Sequence, residues 1–117
     1  MHRVVNMTSI GNNADVISNH KSAISAKLDN YNQDNIHDRQ INDGQNMEGK
    51  PTLGINIDFN SATDANNFHD WLKQYVTNNS SDFVSARTRV HDCFHASGEN
   101  LPCEIGDTWE LSTDGSE

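Results

Sequence analysis

The run His91-Asp92-Cys93-Phe94-His95, followed at a distance by Cys103, is the tightest concentration of reactive side-chain types in this chain of 117 residues. On a strand, His91, Cys93 and His95 would project from one face, with Arg87 and Arg89 preceding them on it, and a hairpin could return Cys103 across that face. Zinc accepts Cys and His in tetrahedral geometry. Structural zinc sites, however, usually pair their ligands in tight knuckles, a spacing that His-Xaa-Cys-Xaa-His with one distant Cys does not reproduce, and two arginines on the same face oppose a cation. A Cys93–Cys103 disulfide fits the separation across a hairpin but belongs to an oxidising compartment. A Cys–His nucleophile needs an imidazole within hydrogen-bond reach, whereas residues two apart on a strand lie about 7 Å from one another. The plainest assignment is two free thiols, one of them packed in the core.

The remaining histidines and glycines carry less. His69 falls off the main helical stripe described below and reads as a solvated surface histidine, and His20 reads as a core-edge or interface residue. No glycine-rich loop follows a strand with phosphate-cradling spacing, since Gly54 stands alone.

Charge excludes more than the motifs do. A net charge of −9 argues against nucleic acids and anionic membranes as partners, because those are bound by neutralising phosphate with Lys and Arg. From Asp92 to Glu117 there are seven acids and no Lys or Arg, a one-sign field suited either to solubility or to a basic partner surface. Glu104, Asp107 and Glu110 are its candidate contacts, with Trp109 as an aromatic anchor. Against that stands core placement of Trp109 beside Ile105 and Leu111 on one strand face. No apolar run approaches a membrane span, and Met1 to Gly11 lack the basic and apolar regions of a signal peptide, so a cytoplasmic location is expected.

The elements that would position these residues are organised around Thr52 to Thr77. Leu53, Ile55, Ile57 and Phe59 alternate with polar residues as in a half-buried strand. Ser61, with Asp64 three residues on, then signals a helix start, and Ala65, Phe68, Leu72 and Tyr75 or Val76 recur at helical spacing. Before this unit, Val4-Val5 suggest a short strand, and Ile17, His20, Ile24, Leu28 and Tyr31 form a narrow helical seam from Ala14. That seam would leave an apolar stripe exposed unless it packs on the sheet or on a second copy, and a homodimer through this helix is expected. Residues 32–51 show no period and read as a polar linker with a short helix around Ile36 to Ile41. Past the Asn78-Asn79-Ser80-Ser81 stop, Asp82 to His95 read as a strand, and Ile105 to Leu111 as its antiparallel hairpin partner. Residues 112–117 form a polar tail.

The expectation is one α+β domain of two layers over residues 1–117, with an N-terminal strand and helix over 1–31, a linker over 32–51 and an α+β core over 52–111. In size and acidity the chain resembles the small accessory proteins of phages and mobile elements, some of which inhibit host nucleic-acid-binding machinery. That resemblance, with no catalytic signature in the sequence, implies an interaction protein rather than an enzyme. Its acidic hairpin would bind, and inhibit, a basic-surfaced partner such as a nucleic-acid-binding protein, with no cofactor. The alternative is a metal- or redox-responsive protein using His91, Cys93, His95 and Cys103, with zinc as its cofactor.

Overall fold

The computed structural model describes residues 2–93 and 104–112. The elements run β1 (His2–Gly11), α1 (Ala14–Asp29), a 3-10 turn at Gln33–Asn35, β2 (Ile36–Gln45), β3 (Pro51–Phe59), α2 (Ala62–Asn78), a second 3-10 turn at Ser80–Asp82, β4 (Phe83–Cys93) and β5 (Glu104–Ser112). The five strands form one sheet in the order β2-β3-β1-β4-β5, every neighbouring pair antiparallel. Two βαβ units interlock in it. β1 and β2 flank β3, and β3 and β4 flank β1, a split βαβ arrangement that sets both helices against the sheet. The expected two-layer α+β architecture is therefore present.

Local chemistry accounts for the helix starts. The Asn13 side chain accepts hydrogen bonds from the Asp15 and Val16 backbone N–H groups, and the Ser61 hydroxyl accepts one from Asp64 N–H. Each helix then turns one stripe inward: Ile17, Ile24 and Leu28 from α1, and Ala65, Phe68, Leu72 and Val76 from α2. These meet Val5, Met7, Leu53, Ile55, Ile57, Phe59, Ala86 and Val90 on the covered face of the sheet. Tyr31, Phe59, Phe68, Trp71 and Tyr75 continue this layer as a chain of ring contacts, and the Lys27 ammonium sits 5.6 Å from the centres of both the Tyr31 and Trp71 rings.

Three expectations are corrected. The segment 32–51 is not a linker with a helix at Ile36 to Ile41 but a short turn followed by the edge strand β2. A register shift lies between Ile36 and Asp38, after which Arg39, Ile41 and Asp43 pair with the inward residues Ile57, Ile55 and Leu53. Two of those three inward positions are charged, so no period-2 apolar pattern exists to be read. The N-terminal strand is not a short Val4-Val5 pair but ten residues at the centre of the sheet. Finally, the α1 seam is not left exposed for a second copy: Ile17, Ile24 and Leu28 are almost wholly buried within the chain, which removes the reason for a homodimer through this helix. Among the described residues no helix is long and apolar enough to cross a membrane.

Candidate functional site on the uncovered sheet face

Because strand side chains alternate, the residues not facing the helices form rows across the opposite face. One row runs Gln40, Asn56, Asn6, Arg89 and Thr108, the next Asn42, Gly54, Thr8, Arg87 and Glu110, and the third Gly44, Thr52, Ile10 and Ser85. A trough of about 710 Å³ lies along the second and third rows, and a smaller recess of about 340 Å³, lined by Asn6, Thr8, Arg87 and Arg89 among others, adjoins it.

Gly54 sets the floor. With no side chain there, the ladder between Asn42 and Thr8 is bare, and an added Cβ would come no nearer than 3.9 Å to a neighbouring atom, so the position has room for a side chain that the sequence does not supply. Thr8, Thr52, Ser85 and Asn42 bring hydroxyl and amide groups to the walls. At one end Arg87 Nε donates to Glu110 Oε1 at 2.7 Å, a solvent-exposed pair that presents both signs of charge. In the adjoining row Asn6 Nδ2 donates to Asn56 Oδ1 at 2.7 Å. The trough is thus roomy and bare at Gly54, with hydroxyl and amide groups set among apolar lining from Ile10, Leu53 and Leu111, a form that suits a flat ligand with apolar ring faces and hydrogen-bonding edges.

Of the four candidate contacts of the acidic hairpin, the three whose side chains are described lie on opposite faces of the sheet. Glu110 lies on the uncovered face and lines the trough, whereas Asp107 reaches Lys73 Nζ at 2.9 Å on the helix side. Trp109 packs half-buried against the core, as its alternation with Leu111 allows. The side chain of Glu104 lies outside the described residues. A register shift between Arg89 and His91 places Ile105 opposite His91, so the alternation Ile105-Asp107-Trp109-Leu111 does not run unbroken.

Of the Cys–His cluster, His91 lies on the same face as Arg87 and Arg89, as expected. Burial, with the neighbouring Arg89 adding to it, pushes its imidazole pKa down, while Asp92 and Asp58 oppose the shift. The side chain of Cys93, and His95 and Cys103 altogether, lie outside the described residues. Among those described, no group of three or more His, Cys, Asp or Glu could hold a metal ion.

Two buried histidines were legible only in part. His20 sits at the core edge, as expected, between Tyr75 OH at 2.6 Å from Nδ1 and Asp82 Oδ2 at 2.9 Å from Nε2, and it stacks on Phe83. His69 is not a solvated histidine: it is 2% exposed. It lies four residues after Ala65 and three before Leu72, within the buried stripe of α2, and its ring is accommodated there by a hydroxyl of the sheet, Thr88. Both clusters are on the helix side, away from the trough.

No protein-family model matches this sequence, and no curated protein sequence matches it. The fold is similar to that of a phage SAM lyase solved in complex with S-methyl-5′-thioadenosine, with a TM-score of 0.50 and 12% sequence identity, over 99% of this chain and 93% of that one. This corrects the expectation of an interaction protein that inhibits a basic partner and is not an enzyme, because the whole architecture is one that an enzyme uses. On an open sheet face, side chains are gathered across strands, from Thr8, Gly54, Arg87 and Glu110, which no local pattern in the sequence connects.

Proposed function

We propose that the trough on the uncovered sheet face binds an adenosyl sulfur compound of the S-adenosylmethionine type, and that the protein acts on it as a lyase. The observation that carries this reading is the trough itself, about 710 Å³ over a bare glycine floor, within the usual size range for small-molecule sites. The whole-chain likeness to a SAM lyase supplies the ligand class.

Formation of S-methyl-5′-thioadenosine from S-adenosylmethionine breaks the bond between the sulfonium sulfur and the amino-acid chain. The bonding pair goes to sulfur, which leaves as a neutral thioether. With no water added, the carbon left behind completes its valence within the substrate, by closure of a carboxylate oxygen of the substrate itself onto it as a lactone, so that no proton is released. This route requires neither a nucleophile nor a base from the protein. The demands on this chain are then positioning and exclusion of water. Asn42, Thr52 and Ser85 offer donors and acceptors for a purine and a ribose diol, and Gly54 lets a flat ring approach the backbone. Glu110 neutralises Arg87, so a cationic sulfonium is not repelled from the site.

Calorimetric titration with S-methyl-5′-thioadenosine, and mass spectrometry of S-adenosylmethionine incubated with the protein, test the reading. Saturable binding and release of the thioether are expected; absence of both overturns it.

A further inference from the structure

Arg89 stands apart from the other arginines. Arg3 holds Asp92, Arg39 holds Asp29 and Arg87 holds Glu110, whereas Arg89 holds no carboxylate among the described residues, in a chain with 17 acidic residues against eight basic ones. It is half-buried and lines the recess that adjoins the trough, together with Asn6 and Thr8. A partly desolvated guanidinium without a counter-charge among the described residues is suited to taking an anion.

We infer that Arg89 takes the carboxylate at the amino-acid end of the substrate, and so selects carboxylate-bearing sulfonium nucleosides over those that lack the group. The inference rests on the assignment of the trough to an adenosyl sulfur compound. Ser85 and Arg89 lie on one face of β4, four residues apart, which is roughly 14 Å along a strand. A nucleoside seated over Gly54 and Thr52 can extend its amino-acid chain across the rows towards Arg89. Arg87 lies between them, already engaged by Glu110, so the free anion-binding capacity falls one row further on. The planar guanidinium presents paired N–H donors that match a carboxylate at two points.

The test measures binding of three probes to the wild type, Arg89→Ala and Arg89→Gln: S-adenosylmethionine, its decarboxylated analogue and S-methyl-5′-thioadenosine. The two variants guard against a local folding defect in either, which circular dichroism monitors. Both substitutions should weaken S-adenosylmethionine about tenfold or more, the range for losing a charge-assisted contact. They should leave the thioether within about twofold and erase the preference for the carboxylate-bearing sulfonium. If the wild type binds the thioether but the substitutions weaken all three probes alike, or none, the Arg89 assignment falls and the trough assignment stands. If the wild type binds none of the three, both fall.

Discussion

His69 on α2 and Thr88 on β4 are joined by a contact of 2.7 Å between Nε2 and Oγ1, with both residues sealed from solvent. Its other ring nitrogen lies 3.7 Å from Asp107 on β5, which Lys73 of α2 also grips, so one polar group ties the helix to two strands. Burial, with Lys73 adding to it, pushes the imidazole below its ordinary value of 6.5, against the opposing pull of Asp107 and Asp70.

That depression fixes the sign of a pH effect. The unfolded chain takes up the proton near 6.5 while the folded one resists it, so the contribution is fully present above 6.5 and is lost as pH falls through the lower folded value. Urea unfolding at about pH 7.5 and about pH 5 should show a larger loss for the wild type than for His69→Gln. His91 shifts in the same direction and is present in both proteins, so the difference isolates His69. Equal losses would mean that His69 titrates as an exposed imidazole.

A second pH window lies lower. Arg3 Nε and Nη2 bond the two oxygens of Asp92 at 2.7 and 3.1 Å, and Nη1 reaches Asn66 of α2 at 2.7 Å. The hydrogen bond from Arg3 holds the Asp92 carboxyl below its ordinary 3.8. The pair stabilises the fold above that value, by about 1 kcal/mol, and the gain is lost as pH falls through the depressed folded value. Asp92→Asn should lose stability at neutral pH and show a flatter decline under acid, followed by far-ultraviolet circular dichroism. Identical acid profiles would dismiss the pair.

Leu72 is fully buried in the layer between α2 and the sheet. Truncation to Ala should cost about 2–5 kcal/mol in denaturant unfolding, the range for a leucine whose cavity cannot collapse. A cost below about 0.5 kcal/mol would place the helix face elsewhere.

Gly54 separates stability from binding. Since an added Cβ meets nothing closer than 3.9 Å, Gly54→Ala should leave unfolding unchanged or slightly improved, the usual result of removing a strand glycine. The same methyl group raises the trough floor, and binding of S-methyl-5′-thioadenosine should weaken. Unchanged affinity would move the ligand off this face.

How much of this could be read in the sequence follows from where apolar residues were free to mark the fold. Leu53, Ile55, Ile57 and Phe59 are all buried, so β3 announced itself, and α2 did so through Phe68, Leu72 and Val76. β2 did not, because an edge strand is held by backbone pairing and here turns Arg39 and Asp43 to the helix side. β1 was underestimated since its inward positions include Ser9, which bonds the Leu53 carbonyl at 2.9 Å and so satisfies a hydroxyl where an aliphatic residue would have been recognised. The trough was illegible for a different reason: its residues are ordinary Thr, Ser, Asn and Gly, and only register makes them neighbours.

The central place of β1 also governs when the molecule can assemble. Val5 pairs with Ile57 on one side and with Val90 on the other, so the strand synthesised first waits for a partner 85 positions later. At translation speeds of about 5–20 residues per second, that wait is roughly 4–17 s. Throughout it, the hydrogen-bonding edge of β1 that faces β4 in the fold has no native partner, and an unpaired strand edge is a ready template for pairing with another chain.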